Sequence, residues 1–422
     1  MVSLPSPPKR GDSPSPESIH LGAVLPAVAT ATSASLPVFL VGASSVQLMA
    51  AFHIGPATIG LLGALYSAAG ATASIPLSRL TNRLGPSLVM AAANVSAAAL
   101  IGLVAVGVGA AWQLGVVLLA AGVVSATAQP AINVYLSRFI PRARQGTAFG
   151  VKQASVPTAT LLAGALVPLV VLNFGWRWAF ATAAVGAALL AVLPLRLARS
   201  TRSPGRPPPH HLQGTPIQSK PLFLLALAFG LGIAAASCLG TFLIPSGVAA
   251  GLPKASAADA AIAASISSLT ARLALGVHAD HSGRGHLKVV AGMLVAGSVG
   301  FSLLAVAGGQ VKDLLFMGAI LSYGAGWGWN GLFNYAVVKY HPQAAAKATA
   351  VTQAGGRLGG IAGPLVFGAI AADRGYGAAW FGCAIAALAA AAMMLAGRRA
   401  LATALVSRQD DDDLAEELAF PS

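Results

Sequence analysis

The chain has 422 residues, of which 56% are apolar and only 9% charged, with a mean hydropathy of +0.74. Soluble domains carry about 25% charged residues, so this composition excludes a soluble globular protein, and its apolar content excludes a disordered one. The formal net charge of +14 points to neither DNA nor RNA, because the bases fall in short intervals between apolar runs and build no basic patch or arm.

The first 25 residues are rich in Pro and Ser and lack the apolar centre of a signal peptide, which predicts an uncleaved, disordered N-terminus over 1–25. Apolar segments then follow at 26–50, 57–78, 88–110, 113–136, 147–171 and 176–195. Each suffices to cross a hydrocarbon core about 30 Å thick at about 1.5 Å per helical residue, and together they give a first bundle over 26–198. Residues 199–220, "RSTRSPGRPPPHHLQGTPIQSK", read as a Pro-rich basic linker. Within it His210 and His211 have no further ligand near them in sequence, so they are linker residues and not a metal site. Six more apolar segments, 221–246, 257–279, 289–308, 313–338, 346–371 and 375–397, form a second bundle over 221–397. The tail, 398–422, holds Asp410 to Asp413, Glu416 and Glu417 and is expected to be a solvated, disordered end. The fold class expected is an all-α membrane protein of twelve transmembrane helices in two six-helix bundles.

With residue 1 in the cytoplasm, Arg79, Arg83, Arg138, Arg142, Arg144, Arg196, Lys220, Arg284, Lys288, Lys339, Lys347 and Arg398 all fall on the inner side, and only Arg177, Lys254, Lys312 and Arg374 on the outer. This is the positive-inside pattern, and an even number of spans returns the C-terminus to the cytoplasm. The location expected is a bacterial plasma membrane. Cys238 and Cys383 both lie inside apolar segments, where a soft hydrophobe is the expected role.

The halves repeat one another. "NVYLSRFIP" (133–141) matches "NYAVVKYHP" (334–342) at an offset of 201, and Gln153 pairs with Gln353 and Gly175 with Gly375 at an offset of 200. "SRLTNRLGPS" (78–87) pairs with "GVHADHSGRG" (276–285), setting Gly85 against Gly283 at an offset of 198. Polar landmarks aligned at nearly constant spacing mark a duplicated unit, an organisation that places a substrate site between the halves near the midplane.

On these loops the chain resembles the major facilitator superfamily, over essentially its whole length. The family's loop signature, Gly-x-x-x-Asp-Arg-x-Gly-Arg-Arg, is matched in the second half by Gly276, Asp280, Gly283 and Arg284, with His281 at the usual arginine. In the first half it is degraded: Ser78 and Asn82 replace Gly and Asp, Arg83 and Gly85 are kept, and Pro86 and Ser87 replace the basic pair. The resemblance implies that Asn82, Arg83, Gly85, Gly276, Asp280, Gly283 and Arg284 act as gating latches, with Arg272 close to the second, and that the first latch is the weaker. "RFIPRARQGTAFGVKQA" (138–154) and "GWRWAF" (175–180) are similar to the cyanate and nitroimidazole porters. The fifth-helix Gly-Pro-x-x-Gly-Gly of proton-driven drug antiporters is absent from 163–168; Gly363 and Pro364 supply a Gly-Pro only in the eleventh segment. In this family helices 1, 4, 7 and 10 line the cavity, which implies a substrate-facing place for Gln129, Asn133, Tyr323, Trp327, Trp329, Asn330 and Asn334. Packing between helices is the other reading for each asparagine. "GWGWNG" (326–331) has the glycine spacing of a nucleotide-binding turn but lies within an apolar segment with no preceding strand, so it is not one.

Three bases remain inside apolar segments: Lys152, Arg272 and Arg357. The first two lie about seven residues from a segment end, near enough to snorkel, whereas Arg357 in "TQAGGRLGGIAGP" (352–364) is close to the midplane, where a charge costs about 2.5–3.5 kcal/mol or more. Between Glu17 and Asp259 there is no acidic residue, and Asp259, Asp280, Asp313 and Asp373 fall at segment ends. No membrane-embedded acid neutralises Arg357, and the usual carboxylate proton carrier is missing. Arg357, with Lys152, Gln153 and Gln353, is therefore the expected binding set for a small anion. The alternative is that Arg357 holds its helix by bonding to nearby carbonyls, and structural roles stand likewise for Lys152 and Arg272. The function expected is transport of a small, anionic solute by alternating access, with a proton as candidate co-transported ion, the lipid bilayer as surroundings and a monomer as the unit. Efflux of amphipathic drugs or metabolites and a non-transporting membrane sensor are the alternatives. No cofactor and no nucleic acid is called for, and no Ser-His, paired-Asp or metal-ligand set lies within the segments to make an enzyme.

Overall fold

The computed structural model of the chain describes residues 21–140, 145–200, 219–281, 286–307, 312–341 and 344–419. Among them every regular element is helical. In a hydrocarbon medium each main-chain N–H and C=O has to be met within its own segment, which favours the helix throughout.

The first half comprises α1 (Leu21–Ala43), α2 (Ser45–Phe52), α3 (Pro56–Leu84), α4 (Pro86–Gly107), α5 (Ala111–Phe139), α6 (Gln145–Gln153), α7 (Ser155–Leu166), a π-turn at Val167–Val171, α8 (Leu172–Phe174), α9 (Trp176–Leu190) and α10 (Val192–Ser200). The second comprises α11 (Ser219–Ala249), α12 (Lys254–His281), α13 (His286–Val306), α14 (Lys312–Gly324), α15 (Asn330–Tyr340) and α16 (Ala345–Ala419). The end of the bundle where α1 begins also carries Arg138, Arg196, Lys220, Lys288, Lys339 and Lys347; it is the basic end, and its opposite the far end.

Among the described residues nine helices are long and apolar enough to cross a membrane, or ten if α2 and α3, bent by 114°, form one span. The expected twelve separate segments are not twelve continuous helices. Segment 313–338 is interrupted between α14 and α15, and segments 346–371 and 375–397 run together in α16. Within α16 the chain turns at Gly375, whose φ of 83° and ψ of 167° are not helical. Gly175, its partner in the repeat, has φ 93° and ψ 163°. Only glycine adopts this region without strain, so the same turn is made at both repeated positions. The acidic tail also departs from expectation: α16 continues through Asp410–Asp413 to Ala419. No Gly or Pro interrupts the sequence between Gly397 and Pro421, so nothing breaks the helix there.

The glycines of "QAGGRLGGIAGP" have a packing cause. Gly355, Gly359 and Gly363 recur every fourth residue, and a Cβ on each would strike the main-chain oxygen of Ala226, Gly230 and Ala234 on α11. Small residues at this spacing let two backbones approach closely where no hydrophobic force drives helices together.

On the outer faces of α9, α13 and the second part of α16, exposed apolar side chains form stripes: Trp178, Val185 and Leu189; Val295, Val299 and Val306; Phe381, Ile385 and Leu388. Stripes of this kind suit a lipid boundary. Arg177, on the far side of the first half, donates to the oxygens of Ala105 (3.0 Å) and Val108 (2.8 Å) and lies 4.4 Å from the Trp176 ring centroid. It caps the carbonyls at the end of α4, which gives the Trp-Arg pair a structural role.

Candidate functional site

The two halves touch along three lines. α1 meets α11 near the far end, where a Cβ on Gly42 would strike Gly240 O and approach Thr241 Cα, and Phe39 lies edge-on to Trp327 with ring centroids 6.0 Å apart. α3 meets α16 from Gly368 beside Pro56, through Gly60 and Gly63 against Pro364 and Gly360 beside Ser67, to Arg357. α7 meets α12 where Gly164 faces Ala261 and Ile262, then where Thr160 and Ser265 share a 2.8 Å hydrogen bond, and last where Arg272 reaches Gln153. The described contacts thus close the far end and the middle of the seams.

Arg357 lies on α16 against α3. Its side chain is exposed, and Nη1 donates to Ala71 O over 3.1 Å. One turn toward the basic end, Gln353 Nε2 donates to Asn334 Oδ1 over 3.0 Å, tying α16 to α15. The structure therefore brings Arg357, Gln353 and Asn334 together on one side.

Lys152 and Gln153 lie elsewhere. Lys152 is buried in α6, with no bonded partner for its ammonium among the described residues. Gln153 enters through its main chain: its oxygen accepts from Arg272 Nη1 over 2.8 Å, at the break between α6 and α7. Arg272 is buried as well, its Nη2 donates to Trp327 O over 3.0 Å, and its Nε has no partner. Two carbonyls, and no described carboxylate, face this guanidinium.

Trp327 and Tyr323 are buried, their rings 5.4 Å apart, in the packed seal with Phe39. In this state the two residues expected to face substrate are packed against each other and Phe39. Asn330 is half-buried with Oδ1 unpartnered, and Asn133 is exposed on α5. Gln129 is half-buried.

The interruption at 325–329 explains itself chemically. Gly324, Gly326 and Gly328 weaken the helix, and two of the oxygens there are met by side chains: Trp329 Nε1 donates to Gly326 O over 2.7 Å, and Arg272 to Trp327 O. Phe39, Ala71 and the Thr160–Ser265 pair were not singled out as functional by sequence patterns.

Of the expected latch residues, Arg83 is exposed in the last turn of α3, and Gly85 has φ 82° between α3 and α4. Gly276 is exposed, with nothing near a hypothetical Cβ. Asn82 and Asp280 lie on helices, but their side chains are outside the described set, and Gly283 and Arg284 lie outside the described residues altogether, as do His210 and His211. Among the described residues the acids Asp259, Asp313 and Asp373 are exposed near helix ends, and Arg374 pairs with Asp373 at 3.3 Å. No three His, Cys, Asp or Glu side chains gather there as a metal site requires.

Comparison with curated proteins gives no match. Among solved structures, the chain is similar to a bacterial homologue of the human lysosomal transporter Spinster in an inward-facing, occupied conformation. The TM-score is 0.70 at 15% identity, covering 92% of this chain and 98% of that one. The inward-facing, unoccupied conformation of the same protein gives 0.63 at 14% identity, covering 90% and 96%. At that identity the likeness shows the fold alone. Residues 27–364 match the Major Facilitator Superfamily, and with that match over most of its length the chain belongs to this family of membrane transporters.

Proposed function

We propose that this chain moves a small anionic solute across a bacterial plasma membrane by alternating access, as a monomer, with Arg357 binding the solute's negative charge. The observation that carries the reading is the exposed Arg357 guanidinium on α16 beside α3. It stands on a face with Gln353 and Asn334, and the described acids are all at helix ends. A fixed positive charge suits an anion and repels amphipathic cations. The similarity of residues 138–154 and 175–180 to cyanate and nitroimidazole porters supports a small solute.

Counting α14 and α15 as two parts of one pass, and α16 as two passes joined at Gly375, brings the ten candidate spans to twelve. With the basic end in the cytoplasm both termini are cytoplasmic, and the seal at Phe39, Gly42, Trp327 and Gly240 closes the outside. An anion entering from the cytoplasmic side would take up hydrogen bonds at Arg357 and compete with the Ala71 carbonyl for it. In this reading any coupled proton travels without a membrane-embedded carboxylate.

The test is charge movement in proteoliposomes over a panel of small anions and amphipathic cations, with wild type beside Arg357→Gln. Anion-specific currents lost in the variant support the reading. Currents with the cations, or anion currents untouched in the variant, overturn it and move efflux to first place.

A further inference from the structure

The two arginines Arg272 and Arg357, both from the second half, each cross to a main-chain oxygen of the first: Arg357 Nη1 to Ala71 O over 3.1 Å, and Arg272 Nη1 to Gln153 O over 2.8 Å. They do so on different seams, α3 with α16 and α6/α7 with α12. The repeat makes these seams equivalent. The offset of 200 carries Gln153 onto Gln353, one turn from Arg357, and the offset of 198 that relates α3 to α12 carries Ala71 onto Leu269, about one turn from Arg272. Each bond therefore joins the same two levels of the repeated unit.

Farther out from Arg357, Gly360 meets Ser67, Gly63 meets Pro364 and Gly368 meets Pro56; farther out from Arg272, Ser265 meets Thr160 and Gly164 meets Ile262. A guanidinium bond to a carbonyl is charge-assisted and stronger than a neutral one. Arg272 is buried, and its second bond, to Trp327 O, ties the seam to the α14–α15 interruption. Pulling Gln153 away would leave a buried charge with fewer dipoles around it, a costly arrangement.

We infer that Arg272 and Arg357 are a matched pair of pins, one on each seam, that hold the halves closed at the far end and must release before the chain opens there. The inference rests on the alternating-access reading and does not depend on the solute being an anion.

Two reporters test it. Thr241→Cys lies in the far-end seal beside Gly42, and Gln353→Cys lies one turn from Arg357 toward the basic end. Labelling by a small maleimide is followed site by site by mass spectrometry, and the native buried thiols Cys238 and Cys383 serve as a check on folding. The expected result is that Arg272→Gln and Arg357→Gln each speed labelling at 241 at least about tenfold and slow it at 353, with the lysine variants intermediate. Rates unchanged at both reporters overturn the pins and leave alternating access standing. Faster labelling at 241 with no slowing at 353 means the halves loosen without exchanging access, which overturns the alternating-access reading and the inference with it. Should a glutamine variant expose Cys238 or Cys383, the lysine variants decide: a faster rate at 241 with a slower one at 353 supports the pins, and wild-type rates overturn them.

Discussion

Gln353 and Arg357 lie four residues apart on one face of α16, and Gln353 hands its amide proton to Asn334 on α15 over 3.0 Å. Residues at that spacing are neighbours on a helix, so a charge placed at 353 acts directly on the guanidinium. Gln353→Glu is expected to neutralise Arg357 and abolish anion currents while Arg357 itself is intact. Gln353→Ala, which loses one hydrogen bond of about 0.5–1.5 kcal/mol, should weaken apparent anion affinity only severalfold. Equal currents in the glutamate variant and wild type would remove Arg357 from the binding site.

The close approach of α16 to α11 gives a stability prediction. Gly359→Val would push a side chain into Gly230 O, and overpacking of this kind costs about 1–3 kcal/mol. The melting temperature in detergent should fall clearly. Gly276→Val, where no atom lies within 4 Å of a Cβ, should melt like wild type. A Gly359 variant as stable as the Gly276 one would show that the two helices are not held this closely.

Trp329 is fully buried and satisfies Gly326 O. Trp329→Phe keeps most of the ring packing but leaves that oxygen without its donor, a loss of about 1–3 kcal/mol. A lowered melting temperature with unchanged behaviour of Trp329→Phe in anion binding is expected; a large loss of binding with no change in melting would instead place Trp329 at the solute.

The orientation can be tested at two lysines. An impermeant thiol reagent added outside intact cells should reach Lys312→Cys and fail to reach Lys347→Cys, since the two begin α14 and α16 at opposite ends of the bundle. The reverse pattern would invert the topology.

The sequence alone determined that this is a helical membrane protein built on a repeat. Its evidence was local and additive: apolar runs of the right length, bases confined to alternate intervals, and Gly175 and Gly375 at a fixed offset, which share one backbone turn. It also placed Arg357 deep in an apolar segment with no acid to meet it. What it missed was continuity. The glycines at 324, 326 and 328 mark a weak stretch of helix but not a break, because a break in lipid is tolerated only where other groups satisfy the freed carbonyls. One of those groups, Arg272, reaches Trp327 O from 55 residues away and is found only after folding. Tertiary structure likewise decided the partners of the charges: Ala71 and Gln153 meet Arg357 and Arg272 across 286 and 119 residues of sequence. Both acceptors are main-chain oxygens, which every residue possesses, so no side-chain pattern could have marked them in advance.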